Sequence, residues 1–398
     1  MSERHPDTAA VHAGRLAIPL NRASSPPLFQ ASSYEFADLA DVEAIYAGVK
    51  QGAVYGRYGG PNAAQFESAI AELEGAEAAA GAAAGMSAIH AAVGTALTPG
   101  ATLLATQELY GGTFALLEND YRKAGVRVEY VDQQNLGEVA AALASLRPGV
   151  LYVEALTNPL MNVADLPALA RLAHDAGAAL IVDATFATPA LCRPLDFGAD
   201  LVVHSVGKYL GGHGDVGAGV VAGRRDLIEA IRGRLVRTGA TMPHFEAWLA
   251  LRGLRTLALR MERHSRNAAA VARYLSTVPE VAAVHHPSLH AAQRELVARL
   301  YPSGTGGIVA FDLAGGSAAV DPFLRGLETI AIVHSLGEVA TTISYPAVSS
   351  HRPLTPQARQ ALGVSDATLR ISVGIEHEAD IIADLARAFA GLAERVRA

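Results

Sequence analysis

From residue 103 to residue 203 the chain repeats one arrangement, and that repetition limits its fold more than any other feature. Short apolar runs at 103–105, 127–131, 150–154, 179–182 and 201–203 read as strands, with helix-period segments at 135–146 and 165–176 between them. Strands alternating with helices at this spacing build a mainly parallel sheet covered by helices on both faces. The expected fold class is therefore α/β. With 398 residues the chain can hold one large and one smaller domain. From residue 281 the rhythm changes. Apolar runs at 281–284, 307–313, 329–333 and 368–373 alternate with helical segments at 289–300, 317–326 and 376–396, which marks a smaller α+β domain at the C-terminus.

In an open α/β sheet, ligands sit outside the carboxyl ends of the strands. The run 179–182 ends in Asp183 and Thr185, and the run 201–203 ends in Ser205 and Lys208. An acid and a lysine thus point toward one crevice. Composition sets the lysine apart. Lys and Arg total 32, yet the lysines are Lys50, Lys123 and Lys208 alone. A desolvated lysine amine can form a Schiff base and an arginine cannot. By spacing alone, a solvated lysine and a reactive one stand level.

Other parts of the chain bound the function by exclusion. The net charge of −7 argues against a nucleic-acid binder. The lone Cys192 excludes an internal disulfide and a cysteine-built metal site, and no metal is expected. The N-terminal stretch has no apolar signal core, and no run of about 18 apolar residues follows, so no membrane segment is expected and the location is read as cytoplasmic. No G-x-G-x-x-G follows the first strand, which argues against a plain dinucleotide enzyme.

In chain order, residues 1–60 read as an extended arm broken by Pro6, Pro19, Pro26 and Pro27, with a helical stretch only at 37–49. The arm ends in Tyr55-Gly56-Arg57-Tyr58-Gly59-Gly60-Pro61-Asn62, a turn with Asn62 as the expected N-cap of a helix over 62–75. Glycines at 81–85, then Met86, open a helix over 87–97; free backbone N–H groups there make an anion site. Tyr110 opens another helix. Glu154, Thr157, Asn158 and Pro159 close a strand. A helix is expected at 227–235 and one long helix over 243–275, with a domain boundary near 253. Arg370 stands alone in an apolar strand, where it needs an anion to pair with.

Several of these segments together resemble the Cys/Met-metabolism family of pyridoxal-phosphate (PLP) enzymes, over about residues 8–398. The resemblance implies fold type I of the PLP-dependent transferases. It divides the chain into an arm at 1–60 that touches the neighbouring subunit, a PLP-binding domain at 61–252 and the α+β domain at 253–398. Asp183 matches the acid at the pyridine nitrogen, and an acid there keeps the ring protonated and electron-accepting. Lys208 matches the lysine that carries the cofactor. Gly85, Met86, Thr185 and Ser205 match cofactor contacts. Tyr55 and Arg57 match a Tyr-x-Arg pair that reaches the phosphate of the neighbour. Tyr110 matches a tyrosine stacked on the ring, catalytic with Lys208. Asn158, Ser335 and Arg370 match substrate contacts, Arg370 at the carboxylate.

The implied activity is a carbon–sulfur lyase on a sulfur amino acid, with β- or γ-elimination of the cystathionine γ-lyase kind. The alternative is γ-replacement on an O-acyl-homoserine, as in a cystathionine γ-synthase or a homoserine-ester sulfhydrylase. The expected assembly is a homotetramer of two catalytic dimers. The sequence departs from the family pattern at several places. Ala184 stands for an asparagine, Gly207 for a phosphate-binding threonine, Ala84 for a serine and Ala340 for a glutamate. Ser349 and Ser350 replace more usual residues. Gly112 matches the cystathionine enzymes rather than the cysteine of methionine γ-lyases, and the compact length argues mildly against sulfhydrylases.

Overall fold

The computed structural model describes residues 5–14, 24–98, 100–352 and 354–397. Every apolar run of the alternating region is a strand. In chain order the large sheet comprises β1 (Ala78–Ala82), β2 (Thr102–Thr106), β3 (Arg127–Val131), β4 (Val150–Glu154), β5 (Ala179–Asp183), β6 (Leu201–Ser205) and β7 (Gly219–Gly223). These seven strands lie in the order β1-β7-β6-β5-β4-β2-β3. The pairs from β2 to β6 are parallel, while β7 runs antiparallel to β1 and β6.

The continuous apolar runs follow from burial on both faces. Leu151, Val153, Leu180, Val182 and Val202 face one core, joined by Phe66 and Ile70 of the helix Pro61–Glu74. Tyr152, Ile181, Leu201 and Val203 face the other, against the helices Gly85–Ala96 and Arg225–Thr238. The crossover helices Leu166–Asp175 and Leu136–Leu146 start at Asp165 and Asn135, whose side chains accept the N–H groups of Ala168 and Glu138.

Two strands were not legible. β1 is Ala-Ala-Ala-Gly-Ala and β7 is Gly-Val-Val-Ala-Gly, both rich in residues with little strand preference. Small side chains are what their surroundings admit. A Cβ at Gly219 would lie 2.3 Å from the Ala84 carbonyl oxygen, and one at Gly81 would lie 2.9 Å from the Met242 sulfur.

Asn62 is not an N-cap. Gly60 takes that place and Pro61 opens the helix, as proline does where no N–H partner is needed. Asn62 is instead fully buried and clamps the arm: its amide accepts the Phe29 N–H and donates to the Pro27 carbonyl, both at 2.8 Å. The Trp248 indole N–H donates to Pro26 O at 2.8 Å. The arm also begins with a helix, Pro6–His12, whose Ala9 and Ala10 join the large core. Pro19 lies outside the described residues.

The expected long helix over 243–275 is two helices, His244–Leu254 and Leu257–Leu275. The buried Arg260 guanidinium fixes the break, donating to Gly253 O at 2.9 Å and Tyr209 O at 2.7 Å. Position 253 lies in a helix packed wholly on the large core. The core changes along the next helix: Leu257 and Met261 belong to the large one, Ala268 to Leu275 to the small one.

The small sheet comprises β8 (Val281–His285), β9 (Ile308–Leu313), β10 (Ala331–Ile332), β11 (Thr342–Ser344) and β12 (Thr368–Ser372), ordered β10-β11-β12-β9-β8. Only the β10–β11 pair is parallel. β11 has too little apolar character to stand out. The segment expected as a helix at 289–300 is helical only over Arg294–Leu300, after short 3-10 turns, and that at 317–326 only over Val320–Leu324. Phe311, Phe323 and Phe389 pack at this core, the last two with ring centroids 4.6 Å apart. Among the described residues no helix is long and apolar enough to cross a membrane.

His264 joins the two layers. Its Nδ1–H donates to Val373 O at 2.7 Å and its ring meets Tyr209 edge-on. Burial holds its pKa down to about 4. The unfolded chain binds a proton at about pH 6.5 and the folded one does not, so this histidine removes stability as pH falls from 6.5 toward 4. At pH 5 the loss is about 2 kcal/mol. A His264→Asn variant, which keeps a donor, is expected to lose about 2 kcal/mol less between pH 7 and pH 5, measured by urea unfolding.

Candidate active site

The carboxyl ends of β4, β5 and β6 open into a cavity of about 610 Å³. The small domain's side contributes Arg370 on β12, with His334 and Leu336 from the connection before β11. Turns after β5 and β6 are tied to each other: Thr185 Oγ1 accepts the Ser205 N–H at 2.9 Å. Asp183, the last residue of β5, is held on both oxygens. It accepts from Tyr152 OH at 3.2 Å and from the Thr185 N–H at 2.9 Å.

Lys208 follows β6, and its Nζ donates to Ser335 Oγ at 3.0 Å. Burial lowers its pKa, the nearby Arg370 charge lowers it further, and Glu338 opposes both. Among the described residues, the buried Arg370 has no carboxylate partner. Its Nη1 donates to Asn158 Oδ1 at 2.9 Å and its Nη2 to Ser335 O at 3.2 Å, while Nε has no partner. Burial brings even this guanidinium down to about 10. Such a group accepts a carboxylate readily, since its fork geometry allows two parallel bonds.

Tyr110 lines the cavity and is 45% exposed. Its N–H donates to Glu154 Oε1 at 2.7 Å. Burial raises the Glu154 pKa well above the carboxylate range, and Asp183 adds to the rise. Gly85 and Met86 open the helix Gly85–Ala96, whose N-cap Ala84 makes no side-chain bond. The first-turn N–H groups therefore remain available to an anion. A Cβ at Gly85 would fall 2.9 Å from Ser205 Oγ, which shows how closely that helix start meets the end of β6.

Gly207 has a local reason. A Cβ there would lie 2.5 Å from the Val216 carbonyl oxygen, so the expected threonine does not fit beside this backbone.

The structure thus brings Gly85, Met86, Tyr110, Asn158, Asp183, Thr185, Ser205, Lys208 and Arg370 to one cavity, with Ser335 bonded to Lys208. It does not bring Tyr55 and Arg57 there. Within one chain they line a separate hollow with Thr241 to His244. Arg57 Nη1 donates to Val236 O at 2.8 Å, and its guanidinium lies over the Tyr58 ring.

Sequence reasoning missed His334, Val348 and Arg352, which also line the cavity. No strand or helix signal marks them, because His334 and Arg352 sit on loops and Val348 ends a single 3-10 turn. His351, next to Arg352, is buried near Asn158 and Arg370 and held down to about 4 by burial first and Arg370 second. Among the described residues no group of His, Cys, Asp and Glu is arranged for a metal.

The donor set fits a phosphorylated pyridine aldehyde. An open helix N-terminus could hold the phosphate, Asp183 the ring nitrogen and Lys208 the aldehyde carbon. The electrostatics make a measurable statement without it. In cofactor-free protein, a Glu338→Gln variant is expected to lower the pH midpoint at which Lys208 reacts with fluorodinitrobenzene, because it removes the charge that favours the ammonium form. Peptide mass mapping separates Lys208 from Lys50 and Lys123.

Residues 7–390 match the family described as Cys/Met metabolism PLP-dependent enzyme. An O-succinylhomoserine sulfhydrylase of Pseudomonas aeruginosa is 40% identical, over 97% of this chain and 95% of that one. An L-methionine gamma-lyase of Porphyromonas gingivalis is also 40% identical, over 95% of each chain. The crystal structure of a cystathionine gamma synthase from Xanthomonas oryzae, in complex with cystathionine, superposes with a TM-score of 0.93 at 36% identity, covering 98% of this chain and 99% of that one. A sulfhydrylase matched over nearly all its own length removes the argument from compact length. The chain belongs to the Cys/Met metabolism family of PLP-dependent enzymes, and pyridoxal phosphate is its cofactor.

Proposed function

We propose that this protein is a carbon–sulfur lyase that removes the sulfur substituent from a sulfur amino acid and releases a 2-oxo acid, ammonia and a thiol. The observation that carries the reading is a pair of cations in one cavity, a lysine of weakened basicity and a buried guanidinium with no carboxylate of its own. Arg370, braced by Asn158 and Ser335, binds the substrate carboxylate. That contact aims the α-carbon at Lys208, whose amine takes the α-proton because burial keeps a share of it unprotonated. Ser335 accepts from Nζ and orients it. Tyr110, fixed through its backbone by Glu154, handles the proton at the departing sulfur.

Gly85, Met86 and Ser205 hold the cofactor phosphate, with Thr185 beside them, and Asp183 holds the ring nitrogen. Bound pyridoxal phosphate supplies the electron sink that makes the α-proton acidic. Lacking a threonine at 207, the phosphate depends the more on the helix N-terminus and Ser205.

Tyr55 and Arg57 act on the partner's phosphate in a catalytic dimer, two of which form the tetramer. That their hollow shares no lining residue with the chain's own cavity supports that reading, as does the exposure of Tyr46, Tyr55 and Tyr58. A cytoplasmic location accords with the single cysteine, Cys192, being buried and unpaired.

The second reading is γ-replacement on an O-acyl-homoserine. The likeness to the named sulfhydrylase and synthase favours it, and the same side chains would serve. Product analysis on the purified holoenzyme decides. The lyase reading expects 2-oxo acid and thiol from L-cystathionine, L-methionine or L-homocysteine alone, falling at least about 1,000-fold in a Lys208→Ala variant. Turnover only with an O-acyl-homoserine plus cysteine or sulfide overturns it in favour of replacement. The subunit arrangement has its own test. Arg57→Ala and Lys208→Ala chains, each inactive alone, should recover roughly a quarter of intact sites when co-expressed, from random pairing. Absence of recovery removes Arg57 from the partner's site.

A further inference from the structure

We infer that Arg352 forms a second carboxylate site at the outer end of the cavity and selects substrates whose side chain ends in a carboxylate. The inference rests on reading the cavity as the substrate site. Arg370 is buried at the inner end, whereas Arg352 lines the same cavity and is exposed. An amino acid anchored by its α-carboxylate on Arg370 has Arg352 in the same cavity to meet a group at the end of its side chain.

Arg352 combines two features: it lines the cavity, and it stands outside the ion pairs that hold some of the surface arginines. Arg122, Arg224 and Arg325 pair with Glu118, Asp226 and Asp321. Among the described residues Arg352 has no carboxylate partner. The acids of the cavity do not serve it: Glu154 is bound to the Tyr110 N–H, and Asp183 to Tyr152 and Thr185. A cation facing a substrate cavity with no counter-ion is matched by an anionic group of the ligand.

The loop that carries Arg352 is tethered. Ser350 Oγ bonds His351 Nδ1 at 2.9 Å, Ser349 Oγ donates to Tyr345 O at 2.7 Å, and the Arg352 N–H donates to Ser349 O at 3.3 Å. The Ser350 carbonyl is packed so closely on Gly111 that a Cβ there would lie 2.1 Å from it. The guanidinium thus starts from a fixed backbone and gives up less freedom on binding. His334 lines the same cavity.

The ligand chemistry is a distal carboxylate, whether from the second amino-acid half of cystathionine or from a succinyl ester. Methionine and an acetyl ester lack it. Unreactive analogues separate the subsite from the reaction: L-2-aminopimelate carries the distal carboxylate and L-norleucine does not. Binding to the holoenzyme is read from the change in cofactor absorbance. Wild type should bind aminopimelate about tenfold more tightly. Arg352→Ala should remove that preference and change norleucine affinity less than about twofold, and Arg352→Lys should restore part of it. Equal binding of the two analogues by wild type, or equal weakening of both in Arg352→Ala, overturns the subsite. A parallel assay compares kcat/KM for O-succinyl- against O-acetyl-homoserine with cysteine, and for cystathionine against methionine. If no substrate turns over while the binding preference is present and Arg352-dependent, the reaction reading fails and the subsite stands.

Discussion

A buried guanidinium without a counter-ion is costly, and the surroundings of Arg370 are arranged around that cost. Asn158 comes from the loop after β4, Ser335 from the stretch before β11, and both give neutral oxygens rather than a carboxylate. Neutral acceptors solvate the charge without cancelling it. The same field reaches Lys208 and weakens its hold on a proton. Two domains are thereby needed to make one site. The large sheet supplies the amine, and the small sheet supplies the charge that tunes it.

The strand order serves the same end. β5 and β6 are neighbours in the sheet, so Asp183 and Ser205 emerge side by side, and the Thr185 hydroxyl locks their two turns together. β7, reversed and built of small residues, lets the helix Gly85–Ala96 bring its N-terminus onto the end of β6. A parallel sheet delivers several strand ends to one edge; here an antiparallel strand that opens with Gly219 delivers a helix start to that edge as well.

How much of this the sequence disclosed depends on where the information lies. β4, β5 and β6 are buried on both faces, so their runs are apolar throughout and their ends are marked by the first polar residue. Asp183, Lys208 and Arg370 could be read for that reason: each is a charge at or inside an apolar run. β1 and β7 could not, because small residues there answer to neighbours distant in sequence such as Met242 and Ala84. Asn62 was misread because an asparagine at a helix start favours a cap, whereas here its amide is spent on Pro27 and Phe29. Arg352 and His334 gave no periodic signal at all, since each lies on a connection between regular elements that has no pattern of its own.

Gly207 also bears on the history open to the chain. The wall against its α-carbon is the backbone carbonyl of Val216, which no side-chain substitution trims away. A hydroxyl-bearing residue fits at 207 only if the segment around 216 shifts with it. A phosphate contact from that position would thus take two coupled changes, one at 207 and one in the backbone facing it.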